Sequence, residues 1–162
     1  MPTALSTSVE VSAGVEAVYA VLTGPAWPAA LDARLGDGST LLSVEPTADG
    51  GLRLVQARRL PDAVPSFLRR FAPEDGRVTQ TDVWGPAVDG TRTGTWEVAL
   101  PGSPARVHGV TRVEPAGGGA RWVVTGEVAV SVPLVGRRAE SLLAPLITTL
   151  VGRQGEVLRT LV

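Results

Sequence analysis

The chain has 162 residues, 19% of them charged, and a formal net charge of −1 at pH 7. That length suits one domain, residues 1–162, with enough chain to bury a real core, and the near-zero charge argues against a nucleic-acid footprint or a polybasic membrane patch. There is no Cys, which excludes disulfides, thiol catalysis and thiolate metal sites.

Ala4 to Val11 alternates loosely between apolar and polar residues and suits a first strand. Ser12 is the expected N-cap of a short helix over Val15 to Leu22, where Val15, Val18, Tyr19 and Leu22 share a face. Gly24-Pro25 stops it, and a second short helix follows from Pro28 to Leu35, ended by Gly36-Asp-Gly38. Strands are expected at Leu41 to Pro46, Leu52 to Leu60, Arg77 to Trp84, Thr91 to Leu100 and Arg106 to Glu114. The turn signals between them are near-regular and leave no room for long helices, which indicates an antiparallel meander. Asp62 to Pro73 breaks that pattern and reads as a short helix or lid-like turn, with Phe67, Leu68 and Phe71 at helical spacing.

The last third organises the rest. Arg121 to Val132 reads as one long β-branched strand, followed by an amphipathic helix running nearly to the C-terminus. Val135, Ala139, Leu142, Leu143, Leu146, Ile147, Leu150, Val157, Leu158 and Leu161 fall on one side of it. Pro145, Gly152 and Gly155 predict that this helix is bent or segmented. The fold class is therefore α+β: a curved antiparallel sheet of about seven strands wrapped around a long C-terminal helix, with two short helices after the first strand. A concave sheet and a cylindrical helix have mismatched curvature, so a cavity is expected between them.

The N-terminus shows no basic region followed by an apolar run, so no signal peptide is expected. The longest apolar run, near Leu142 to Val151, is interrupted by Pro145 and Thr148-Thr149 and falls short of the ~20 residues that span a bilayer. A cytoplasmic protein without stable membrane insertion is the expectation.

Several residues carry the resemblance of this chain to a known family. They are Val15-Glu-Ala-Val-Tyr-Ala-Val-Leu22, Arg59-Leu-Pro61 ahead of Pro65-Ser-Phe-Leu68, Asp82-Val-Trp84, Gly94-Thr-Trp96, and above all Gly126-Glu-Val-Ala-Val-Ser-Val-Pro-Leu-Val-Gly136 followed by Glu140. In these the chain resembles the START-like superfamily, also called SRPBCC or helix-grip proteins, and within it an uncharacterised bacterial branch. The resemblance implies a helix-grip fold with an internal apolar cavity. It hands over no activity, since lipid carriers, cyclases and partner-binding modules share that fold, and no catalytic residue is carried over.

Candidate functional residues follow from alternation. Trp84, Trp96 and Trp122 lie on separate predicted strands and Trp27 between the short helices; their flat faces suit a pocket, with an indole N–H free to fix one polar ligand atom. Asp82 shares a strand face with Val78, Gln80 and Trp84 and is the one acid expected to look inward, whereas Glu97 and Glu127 point outward. Phe67 and Phe71 are candidates to gate the entrance, and Leu146, Leu150 and Gln154 to line the cavity from the helix. His108, the only histidine, is a possible general base without a visible orienting carboxylate.

Metal binding and cofactors are not expected, with one His, no Cys and no clustered acids at ligand spacing. The leading expectation is a non-enzymatic binder of a small hydrophobic or amphipathic molecule, such as a lipid, an isoprenoid or a polyketide-like compound. The rivals are a cyclase- or hydrolase-like enzyme using Asp82 or His108 as acid–base, and a protein-interaction module without a ligand.

Overall fold

A computed structural model describes residues 2–162. Its elements run β1 (Thr3–Val11), α1 (Val15–Leu22), α2 (Ala26–Leu35), β2 (Thr40–Pro46), β3 (Leu52–Arg59), α3 (Ser66–Arg69), β4 (Arg77–Trp84), β5 (Arg92–Ala99), β6 (Ala105–Ala116), β7 (Gly119–Val130) and α4 (Gly136–Leu161). The strands form one seven-stranded antiparallel sheet in the order β1-β7-β6-β5-β4-β3-β2. Every consecutive pair from β2 to β7 is a hairpin neighbour, and α1 and α2 carry the chain from β1 at one edge to β2 at the other. Ser12 does not cap α1. Three residues separate the end of β1 from the helix, and Gly14 takes the N-cap position, its carbonyl accepting from the Val18 N–H at 3.1 Å.

The period-2 pattern selects the concave face. Leu5, Val9 and Val11 on β1, Trp84 on β4, Trp96 on β5, and Trp122, Val124, Val128 and Val130 on β7 are all buried and in one core cluster. The sheet curls where side chains are missing. Gly109 on β6 pairs with both Trp96 on β5 and Gly126 on β7, so a row of two glycines lies beside one tryptophan. A Cβ on Gly126 would sit 2.7 Å from Trp96 Cζ2. Only glycine leaves room for the indole to lie across these strands.

α4 grips half of that face. Its contacts with the sheet concentrate on β1 and β7, through Ala139, Leu143, Ala144, Val157 and Leu158, all buried. Glu140, also buried, ties its first turn to the sheet: its carboxylate accepts from the backbone N–H of Val130 at 2.9 Å and from Thr3 Oγ1 at 3.0 Å. Three residues expected on the core side are exposed instead: Val135 at 41%, Leu142 at 48% and Leu161 at 39%. Val135 precedes the helix, Leu142 sits about 100° around the helix from Leu143 and so at the rim of the apolar stripe, and Leu161 ends the last turn.

Of the two outcomes expected for this helix, bent or segmented, segmentation does not occur. α4 is continuous for 26 residues with Pro145 inside it. Pro145 and Ser141, whose carbonyl loses its intrahelical donor, are both exposed, on the solvent side of the helix. The two glycines have different reasons. Gly155 packs so closely on Val9 that an added Cβ would collide with both Val9 methyl groups, whereas nothing lies within 4 Å of such an atom on Gly152. Gly152→Ala is therefore expected to stabilise the protein by about 1 kcal/mol, and Gly155→Ala to destabilise it by about 1–2 kcal/mol, because a β-branched neighbour on a strand cannot rotate away. Urea unfolding of the two variants beside the parent checks the opposite signs.

Candidate functional site

Because α4 covers β1 and β7, the concave surface of β3, β4 and β5 is left with no helix lying directly on it. A cavity of about 180 Å³ occupies that gap. One end is closed by α1 and α2, which contribute Leu22 and Trp27 to the wall. Tyr19 meets Trp84 edge-on at 5.4 Å, and Trp27 meets Trp122 edge-on at 6.3 Å. The Arg92 guanidinium lies 4.1 Å over the Tyr19 ring and is held by the Glu16 carboxylate at 2.9 Å, clamping α1 to β5. The other end is bordered by the chain after β3, with Leu60, Pro61, Val64 and Leu68, and by Leu146, Ile147, Leu150 and Val151 of α4.

Of the residues singled out from the sequence, Trp84, Trp96 and Trp122 form part of this wall while also belonging to the core cluster. Gln80 and Asp82 line it from β4, and Leu146, Leu150 and Gln154 from α4. The tryptophans differ from expectation in one respect. Trp96 Nε1 donates to the Thr125 backbone oxygen at 3.0 Å, and Trp122 Nε1 donates to Thr111 Oγ1 at 2.9 Å. A buried indole N–H must find an acceptor, and in both cases the sheet supplies it, so only the ring faces of these two remain for a ligand.

Phe67 and Phe71 are not on the cavity wall. Phe67 packs against the core from outside it, and Phe71 is half-buried with the Arg70 guanidinium 5.1 Å over its ring. Leu68, 1% exposed, takes the inward position on α3, with Val64 one turn before it. His108 is on the opposite, convex face, half-exposed, with Nε2 4.0 Å from Glu127 Oε2 and Glu97 its partner across β5. It does not reach the cavity, so the acid–base role considered for it is removed.

Sequence reasoning missed the polar end of the site. β3 alternates in phase with the concave face, which turns Leu54, Gln56 and Arg58 inward, and the last two line the cavity. Gln56 Nε2 donates to Asp82 Oδ2 at 3.3 Å and Gln80 Nε2 donates to Asp82 Oδ1 at 3.0 Å. Burial pushes the Asp82 carboxyl up from its ordinary value, against the Gln80 amide, the Arg58 charge and the Gln56 amide, which favour the carboxylate. Burial also pulls the Arg58 guanidinium down, opposed by the charges of Asp82 and Asp37.

Neither polar group of β3 is fully satisfied. Arg58 Nε and Gln56 Oε1 have no hydrogen-bond partner, and Arg58 is in none of the ion pairs found among the described residues. Leaving a buried hydrogen-bonding atom unpaired costs about 1–3 kcal/mol, and a buried unpaired charge costs several. The site can thus enclose an apolar body and present one cation, one free carbonyl and one carboxyl group biased toward its neutral form. Among the described residues no group of three His, Cys, Asp or Glu side chains comes together to hold a metal, and no helix is long and apolar enough to cross a membrane.

The architecture is shared with solved structures. A START superfamily protein from Mycobacterium smegmatis superposes with a TM-score of 0.58 at 13% identity, covering 98% of this chain and 99% of the other. Norcoclaurine synthase from Thalictrum flavum, in complex with dopamine and hydroxybenzaldehyde, gives 0.61 at 15% identity over 99% of this chain and 86% of that one. The di-domain ARO/CYC StfQ from the steffimycin biosynthetic pathway gives 0.66 at 13% identity over 99% of this chain and 50% of that one. The fold is therefore the START-like helix-grip fold. In sequence, an uncharacterized protein from Mycobacterium tuberculosis strain H37Rv is 26% identical over 163 aligned residues, 93% of this chain and 91% of the relative. With residues 6–162 matching its family model, the chain belongs to the family described as "Protein of unknown function (DUF2505)".

Proposed function

We propose that the protein binds a small hydrophobic or amphipathic molecule in the cavity between sheet and α4, without chemistry. The observation that supports this reading is the cavity itself, walled by Trp84, Trp96 and Trp122 on one side and by Leu146, Leu150 and Gln154 on the other. Its volume of about 180 Å³ is near the ~150 Å³ of an apolar cavity that takes up benzene, so the enclosed part of a ligand is on the order of one or two rings. A long acyl chain would have to extend through the end bordered by Leu60 and Leu150. Four buried tryptophans in the wall, Trp27 among them, make their emission the readout. Titration with neutral aromatic and aliphatic compounds of increasing size is expected to shift Trp emission saturably, and native mass spectrometry to show a single bound molecule per chain. Emission unchanged by every compound would end this proposal.

A second reading has one observation in its favour: Asp82 is a buried carboxyl in the cavity, biased toward its protonated form. Such a group can act as a general acid on a bound carbonyl compound, in a cyclase-like reaction. Asp82→Asn separates the two readings, since a binder keeps its ligand affinity and an enzyme loses turnover. A protein-interaction module without a ligand is the weaker reading, because an interior without a cavity would have favoured it and a cavity is present.

A further inference from the structure

The cavity has an asymmetric charge pattern that an apolar occupant alone leaves unexplained. Arg58, half-buried on β3, lines it, with no acceptor for its buried Nε. Two residues earlier on the same strand face, about 7 Å away at 3.3 Å per residue, Gln56 holds out a carbonyl oxygen with no donor. Asp82 does not discharge Arg58. It pairs across the sheet with Leu54, whereas Arg58 pairs with Val78, and its two oxygens are taken by the amides of Gln56 and Gln80. Asp37, the other carboxylate whose charge acts on Arg58, accepts from the Ser39 N–H. The rest of the cavity lining is aliphatic and aromatic, with Gln80, Thr111 and Gln154 the other polar side chains.

We propose that the ligand is a monocarboxylic acid bound as its anion, its carboxylate on the Arg58 guanidinium and its ring or short chain against Trp84, Trp96 and the α4 leucines. A guanidinium presents N–H groups in a planar fork that matches a carboxylate. A single cation matches one negative charge and is poorly suited to a dianionic phosphate. This assignment rests on the cavity being the ligand site.

The test uses acid and alcohol pairs of equal size: benzoate with benzyl alcohol, 2-naphthoate with 2-naphthalenemethanol, and octanoate with octanol. Affinities are measured by calorimetry at neutral pH on the full chain and on Arg58→Met and Arg58→Lys. At least one acid is expected to bind tenfold or more tightly than its alcohol. Arg58→Met should erase that preference by lowering acid affinity roughly tenfold to hundredfold, with alcohol affinity within about threefold of the parent. Arg58→Lys, which keeps the charge but loses the fork, should retain part of it.

Thermal unfolding of ligand-free Arg58→Met should show a melting temperature no lower than the parent's, since no protein partner is lost; a marked drop would make Arg58 a structural residue. Alcohols that bind as well as acids to the parent would overturn the carboxylate assignment and leave the cavity reading intact, and that outcome needs no variant to fold. If neither acids nor alcohols bind, both fall together.

Discussion

Leu158→Ala is expected to lower the unfolding free energy by about 3 kcal/mol, while Leu146→Ala, three turns earlier on the same helix, lowers it by about 1 kcal/mol or less. Leu158 is 0% exposed in the core. Removing its branch leaves a void that the close-packed surroundings refill only in part, so lost transfer energy and lost contacts add. Leu146 is half-buried and already faces open space in the cavity. Truncating it enlarges an existing hollow and creates no new one. For a chain of this size the larger loss corresponds to a drop in Tm of roughly 6–12 °C. Denaturant unfolding of the two variants in parallel checks the difference. Equal losses would mean that the space beside Leu146 is packed shut in solution.

Glu140→Ala is expected to cost about 2–3 kcal/mol near neutral pH, since it leaves the buried Val130 N–H without its charged acceptor. The Val130 N–H and, after it, the Thr3 hydroxyl hold the Glu140 carboxyl below its ordinary value near 4.5, against the opposing effect of burial. With the folded pKa depressed, the native state binds fewer protons than the unfolded chain between the two values. The contribution is then complete above about pH 4.5 and disappears as pH falls through the folded pKa. Asp82 works in the other direction. Its folded pKa is raised above 3.8, so it favours the native state most at low pH and loses that contribution as pH rises through the folded value. The gap between the unfolding curves of parent and Glu140→Ala, followed from about pH 7 down to about pH 3, should therefore narrow toward the acid end. A gap that stays constant with pH would remove the carboxylate from this account.

Much of the fold was legible because its signals are local. The turn chemistry after each strand, the break at Gly24-Pro25 and the apolar stripe of α4 each fix one element from a few residues, and all seven strands lie within a few residues of their expected bounds. The errors came where three-dimensional context decides. Ser12 has the right chemistry for a cap, but the chain leaving β1 starts its helix two residues later, at Gly14. Pro145 removes one intrahelical hydrogen bond and crowds the Ser141 carbonyl, yet α4 runs through it unbroken, and what packs around such a residue is not written in the residue itself.

For the candidate site, alternation placed Gln80, Asp82, Trp84 and Trp96 on one face because their strands run without a bulge. The same rule applied to β3 would have flagged Gln56 and Arg58, which interrupt an otherwise apolar phase after Leu52 and Leu54. Phe67 and Phe71 attracted notice by size, yet on a four-residue helix only one side chain can point straight inward, and that one is Leu68.

The grip of α4 on β1 and β7 alone divides the molecule mechanically. A flap made of β2, β3 and α3 hangs from the rest chiefly through the β3–β4 backbone ladder and the chain beside it. An outward swing of that part would open the cavity and leave the long helix and its anchor at Glu140 in place. Arg58 lies on that part, so such a motion would carry the cavity's one cation with it.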